Sequence, residues 1–176
     1  MDITRNYFEF LGLPVSFDVD QARLSERYRD LQKQIHPDRH SHQSDREQRL
    51  AVQYTAYLNE ALTTLKSPLK RAQYLLSLKG IDTLSDSRAQ LDPMFLMEQM
   101  ELRERAADAV DHDDPEAELE ALQAHVDAEF KALQVAFAGS WDSKQFEQAE
   151  VLVRKMQFIC KLHSDIEALE DRLFDD

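Results

Sequence analysis

The residues that crosslink, bend or interrupt a chain are scarce here: one cysteine, three glycines and five prolines in 176 residues. A lone Cys160 forms no intramolecular disulfide and builds no cysteine-cage zinc site, and it suits a reducing cytosol. Little glycine and proline, beside many Leu, Ala, Gln and Glu, predicts an all-α protein. No run of 18 apolar residues occurs, so no membrane span is expected. The opening MDITRNYFEF is neither basic nor followed by a long apolar core, so no secretory signal is visible and a cytoplasmic location is expected. Internal repeats and low-complexity segments are absent.

What is abundant is negative charge, unevenly spread. The formal net charge is −13. Residues 1–80 carry 12 Lys/Arg against 10 Asp/Glu, whereas residues 81–176 carry 9 against 24. That asymmetry indicates two modules with different partners. Nucleic acid is not expected as a partner, since a net-acidic chain repels phosphates unless it has a dense basic face.

Helical periodicity organises the chain. A short helix is expected from about Arg5 to Leu11, ended by Gly12 and kept from continuing by Pro14. Asp18 or Asp20 caps a second, running to about Ile35 with Leu24, Tyr28, Leu31 and Ile35 as its core stripe. Pro37 stops it. A third helix, from about Asp45 to Lys66, has Leu50, Tyr54, Tyr57 or Leu58, Ala61 and Leu65 inward. Ser67-Pro68 opens a fourth, carrying Ala72, Leu75, Leu76 and Leu78 and stopping at Gly80. The two long helices should pack antiparallel, with their connecting loop at the tip. Residues 81–91 read as a linker. Three more helices follow: Pro93 to about Val110, Pro115 to about Ala138 with Gly139 as its stop, and Asp142 or Ser143 to about Leu173. Leu119, Leu122, Val126, Phe130, Leu133 and Phe137 form the stripe of the middle one. Leu152, Met156, Ile159, Leu162, Ile166, Leu169 and Leu173 form that of the last, and together they describe an antiparallel bundle.

Between the second and third helices lies QIHPDRH, residues 34–40. Pro37 fixes one backbone angle and lacks an amide donor, so His36 and Asp38 are presented from a stiff turn, which lowers the ordering cost of docking. Arg23 and Arg27 lie one turn apart on the preceding helix, as do Arg29 and Lys33, all off the core stripe. Such a face suits an acidic partner surface, although exposed basic residues on a helix are usually just a solvated face. A metal reading of His36, His40 and His42 fails, because zinc needs three or four converging ligands and the proline keeps these histidines off one helix face. General acid–base work by His36 with Asp38 needs a pocket that an extruded loop does not offer. The order short helix, long helix, His-Pro-Asp, long helix, proline-led short helix over about residues 4–79 resembles the J-domain of the DnaJ superfamily. That resemblance implies that His36, Pro37 and Asp38, with Arg23, Arg27, Arg29 and Lys33, bind a DnaK-type chaperone and stimulate its ATP hydrolysis. The chemistry then belongs to the partner, and no catalytic residue, metal or cofactor is expected here.

The helix from Pro93 is more apolar than packing requires. At about 100° per residue, Phe95, Leu102, Ala106 and Ala109 make its core stripe, while Leu96, Met97 and Met100 point roughly the other way. Glu101, Glu104 and Asp108 sit beside them. Flexible Met side chains edged by carboxylates suit protein docking. Phe158, about 100° off the Met156–Ile159–Leu162 stripe, is expected near that strip. Leu96, Met97 or Phe158 could instead pack against the J-like module or against a neighbouring helix of the bundle.

Together, YLLSLKG, PMFLMEQMELRE and RKMQFICKL resemble the HscB family of J-type co-chaperones of bacterial iron–sulfur cluster assembly, over essentially the whole chain. The resemblance implies an L-shaped protein: a J-domain over residues 1–80 that engages the DnaK-type ATPase HscA, and a three-helix bundle over 92–176; a monomer is expected by default. The bundle would bind the cluster scaffold IscU through Leu96, Met97, Met100, Glu101, Glu104, Asp108 and Phe158. Asp108 stands where a glutamate is expected, with the same charge and a shorter reach. Eukaryotic relatives carry an added N-terminal cysteine-rich segment; this chain opens almost at the first J-domain helix, so a bacterial form without its own metal is expected. The competing reading is a general J-domain co-chaperone whose bundle dimerises or binds unfolded clients. A glycine/phenylalanine-rich linker or a cysteine zinc module would favour it, and neither is present.

Overall fold

The computed structural model describes residues 4–35, 44–84 and 91–175, and among them every regular element is a helix. The chain divides into two compact units, Met1–Leu75 and Leu76–Asp176.

In the first unit, α1 spans Tyr7–Phe10, α2 Gln21–Ile35, α3 Asp45–Lys66 and α4 Pro68–Ser77. The Asn6 side chain caps α1 by accepting the Glu9 N–H at 2.9 Å. Gly12, at φ +66°, closes it: its own N–H reaches Glu9 O at 3.1 Å and Leu13 N–H reaches Phe8 O at 2.8 Å. The Asn6 cap starts the helix two residues later than the Arg5–Leu11 expected and Leu11 serves as its C-cap, and four residues suffice only because Phe8 and Phe10 are buried. Asp20 caps α2, its carboxylate accepting the N–H groups of Ala22 and Arg23. Leu24, Leu31 and Ile35 are buried, and Tyr28 is half-buried with its hydroxyl donating to Asn59 Oδ1 at 2.8 Å. Thr55 Oγ1 reaches the Ile35 carbonyl. Partners thus fall along α3 as they rise along α2, which makes the pair antiparallel.

The stripe of α3 differs from expectation at its start. Ala51 is buried and Leu50 exposed. Seven residues separate Ala51 from Leu58, about 20° short of two full turns, whereas Leu50 lies about 80° off. Leu78 is likewise exposed, because α4 closes at Ser77 and Gly80, at φ +77°, turns the chain. The sequence pattern did not single out Arg71, yet it is buried, with Nη1 donating to Leu65 O at 2.6 Å and the guanidinium 4.6 Å from the Phe17 ring centre. Burial pulls its pKa down, opposed by Asp18.

In the second unit, α5 spans Pro93–Asp108, a 3₁₀ turn Ala109–Asp111, α6 Pro115–Asp142 and α7 Phe146–Phe174. Asp92 and Asp114 cap α5 and α6 ahead of their first-turn prolines. Phe95, Leu119, Val126, Ile159 and Ile166 belong to one shared core. Gly139 does not stop α6. The helix runs on to Asp142, burying Phe137, Ser140 and Trp141, and the left-handed closing position falls on Lys144, at φ 58°. Lys144 N–H reaches Trp141 O and Gln145 N–H reaches Ser140 O, so α7 begins at Phe146 rather than at Asp142 or Ser143. Burial of Trp141, with its ring 5.4 Å from that of Phe146, outweighs the preference for glycine at the closing position. Past Gly80, the stretch read as linker begins pinned within this unit: Thr83 is buried and its carbonyl accepts Gln157 Nε2 at 2.7 Å. Residues 85–90 lie outside the described residues.

A Cβ on Gly12 would stand 3.2 Å from the Arg27 guanidinium, in a backbone conformation that disfavours L side chains. Gly12→Ala is expected to cost about 1–2 kcal/mol, read as a lower urea midpoint with an unchanged m-value.

Candidate protein-docking sites

Helix α2 ends at a buried Ile35, and His36, Pro37 and Asp38 follow it in sequence; these three, with His40 and His42, lie outside the described residues. Arg23, Arg29 and Lys33 are exposed on α2 as expected. Arg27 is not part of a free basic face. It is half-buried, and its Nε donates to the Leu11 carbonyl at 3.0 Å beside Gly12, tying α2 to the turn after α1. That carbonyl lies at the end of α1, where backbone acceptors lack helical partners, and the long Arg27 side chain supplies one.

On α5 the expected core stripe is inward: Phe95, Ala106 and Ala109 are buried and Leu102 packs against them. So does Leu96, which is half-buried and packs on the same core instead of standing out from it. Its position, about 100° from Phe95, is close enough to the wide interior of a three-helix bundle to be drawn in. Met97 and Met100 are 61% and 62% exposed, and Glu101, Glu104 and Asp108 are exposed beside them. Phe158 presents an exposed edge while its ring meets that of Phe95 edge-on at 6.3 Å. Sequence reasoning passed over Met94, 72% exposed; the helical angle that placed Met97 would have placed it within about 60° of that residue.

The carboxylates of the strip form no salt bridge among the described residues, although Glu101 lines a groove with Arg105. Arg103 pairs with Asp165 at 2.6 Å and Arg105 with Glu118 at 3.6 Å, so both arginines of α5 turn to neighbouring helices. Near the start of α5, Lys155 sits 3.4 Å from Asp92 and 5.1 Å from the Phe95 ring centre. The Phe95 N–H, and then Lys155, hold the Asp92 carboxyl below the usual range. Between α5 and α6 lies an open groove of about 640 Å³ whose lining includes Glu98, Glu101, Leu102, Arg105, His125 and Glu129. Cys160 is free and half-buried, and burial pushes its thiol up. Among the described residues, no group of three or more His, Cys, Asp or Glu could hold a metal ion, and no helix is long and apolar enough to cross a membrane.

Residues 6–74 match the DnaJ domain, and residues 91–167 match the family described as the HSCB C-terminal oligomerisation domain. The co-chaperone protein HscB homolog of Shewanella loihica is 45% identical over 172 residues, covering 96% of this chain and 99% of that protein. The chain belongs to the HscB co-chaperone family. Among solved structures, the chaperone HscB from Vibrio cholerae superposes with a TM-score of 0.87 at 43% identity, covering 96% of this chain and 99% of that one. Human co-chaperone protein HscB superposes with a TM-score of 0.88 at 30% identity, covering 97% and 84%. The family thus joins a J-domain to a C-terminal helical domain, the arrangement built here from α1–α4 and α5–α7.

Proposed function

We propose that this chain binds the iron–sulfur scaffold IscU through its C-terminal bundle and presents it to HscA, a DnaK-type chaperone, during iron–sulfur cluster assembly and transfer. The J-domain (residues 1–80) would stimulate ATP hydrolysis by HscA, and the linker 81–91 would join it to the bundle, 92–176. The protein acts as a monomeric cytoplasmic adaptor, with ATP chemistry confined to HscA. One observation carries the reading. A chain that pairs a DnaJ match with the HscB C-terminal family also exposes, on α5, methionines beside the carboxylates Glu101, Glu104 and Asp108.

The test is the steady-state ATPase rate of HscA with IscU. Wild type should raise it. Met97→Ala/Met100→Ala should also raise it, but only at roughly tenfold higher IscU or more, because two anchors of scaffold capture are lost while the J-domain is intact. A rate unmoved by wild type would end this reading.

The family description's word oligomerisation favours a second reading, a general J-domain co-chaperone whose bundle self-associates. Sedimentation equilibrium across a hundredfold concentration range separates the two: constant monomer mass fits the adaptor, and concentration-dependent dimer mass fits the alternative.

A further inference from the structure

The α5 strip extends beyond the residues its sequence pattern marked. Met94, Met97 and Met100 follow at intervals of three, so each is a surface neighbour of the next along the helix. They are 72%, 61% and 62% exposed. Leu96, by contrast, is drawn onto the core. The apolar end of the strip therefore consists of three methionines in sequence, and Met94 is the most exposed of them. At the other end stand Glu101, Glu104 and Asp108, whose neighbouring arginines are committed to Asp165 and Glu118.

An apolar end and an acidic end on one helix face define a directional surface. Its complement has an apolar patch at one end and lysine or arginine side chains at the other. A flexible unfolded client offers no fixed spacing between such groups, whereas a folded surface does. We propose that Met94 is a third methionine anchor of this docking strip, contacting the folded scaffold beside Met97. The proposal rests on the scaffold-binding reading above and adds a contact residue to it.

The test is isothermal titration of the full-length protein with IscU at 50 and 300 mM NaCl. Met94→Ala is expected to weaken binding at least about fivefold, the scale of a residue that matters on truncation. Met94→Leu should bind close to wild type and Met94→Glu should lose more than Met94→Ala. The salt dependence of Met94→Ala should match that of wild type, because no charge is removed, while Glu101→Gln/Glu104→Gln should flatten it. Val52→Ala, at an exposed apolar position of the J-domain unit, serves as the control and should be neutral. Unchanged affinity in both Met94→Ala and Met94→Glu, with Met97→Ala/Met100→Ala weakened, would overturn the inference and leave the scaffold reading standing. Absence of wild-type binding would overturn both.

Discussion

HscA ATP hydrolysis is expected to stay at its basal rate, at every concentration of added protein, once Asp38 is replaced by alanine. On the proposed reading, Asp38 follows Pro37 immediately beyond α2, and its carboxylate enters the chaperone interface as half of a charge pair. Truncating one partner of such a pair costs about 2–5 kcal/mol, and taken from the stimulated state of HscA that is a loss of some thirtyfold to several thousandfold in rate enhancement, which added protein does not restore. The defect differs in kind from that of Met97→Ala/Met100→Ala, which more scaffold rescues. Two controls accompany it: binding to IscU by titration should be unchanged, and so should the thermal unfolding midpoint. If Asp38→Ala stimulated as well as wild type, the docking role proposed for His36, Pro37 and Asp38 would be wrong at its centre.

Phe8→Ala is expected to cost about 3–5 kcal/mol, a large share of the stability of a small domain. Phe8 is fully buried, its ring 6.0 Å from that of Tyr74, and the neighbouring Tyr7 N–H donates to Tyr74 Oη at 2.9 Å. Helix α1 is four residues long and has no stability outside these contacts. Losing the ring therefore releases the whole helix with Tyr7, which stacks on Tyr74 at 4.4 Å and meets Tyr57 edge-on at 5.1 Å. Burial, with help from Glu60, pushes the Tyr7 phenol above its ordinary range, so exposing it should also return its titration toward the ordinary value. For a unit of this size the unfolding midpoint should fall by more than about 12 °C, read by circular dichroism. A fall of under 3 °C would mean that α1 is a peripheral clip.

Helix identity was legible wherever a local signal and a buried stripe agreed. Asp45–Lys66 emerged with both ends in place, because Ser44 caps it and Ser67-Pro68 opens the next helix. Local signals failed where a large side chain overruled them. Glycine at 139 looked like a stop, but Trp141 lies beyond it and is buried only if the helix continues. Periodicity also cannot report what a long polar side chain reaches. Arg27 lies off the core stripe, so it read as part of an exposed basic face, and only the fold brings the Leu11 carbonyl to its Nε. For the α5 strip, the wheel separated inward from outward residues but could not reveal that Leu96, at the edge, would be drawn in while Met94 would not. The His-Pro-Asp motif was legible from its frame alone, since it is defined by order and spacing.

Two helices of 28 and 29 residues, α6 and α7, are joined by the three residues that close at Lys144. Each is about 42 Å long, and they run antiparallel: Trp141 meets Phe146 at the turn, and Asp127 faces His163 farther along. Pairing can therefore begin between residues only five apart in the chain and advance outward, each new contact closing a loop only slightly longer than the last. Loop closure on that scale takes tens of nanoseconds, and topologies built from local contacts fold fastest. The α6–α7 pair is thus suited to form first, presenting a finished apolar groove onto which α5, with its row of methionines turned outward, can settle.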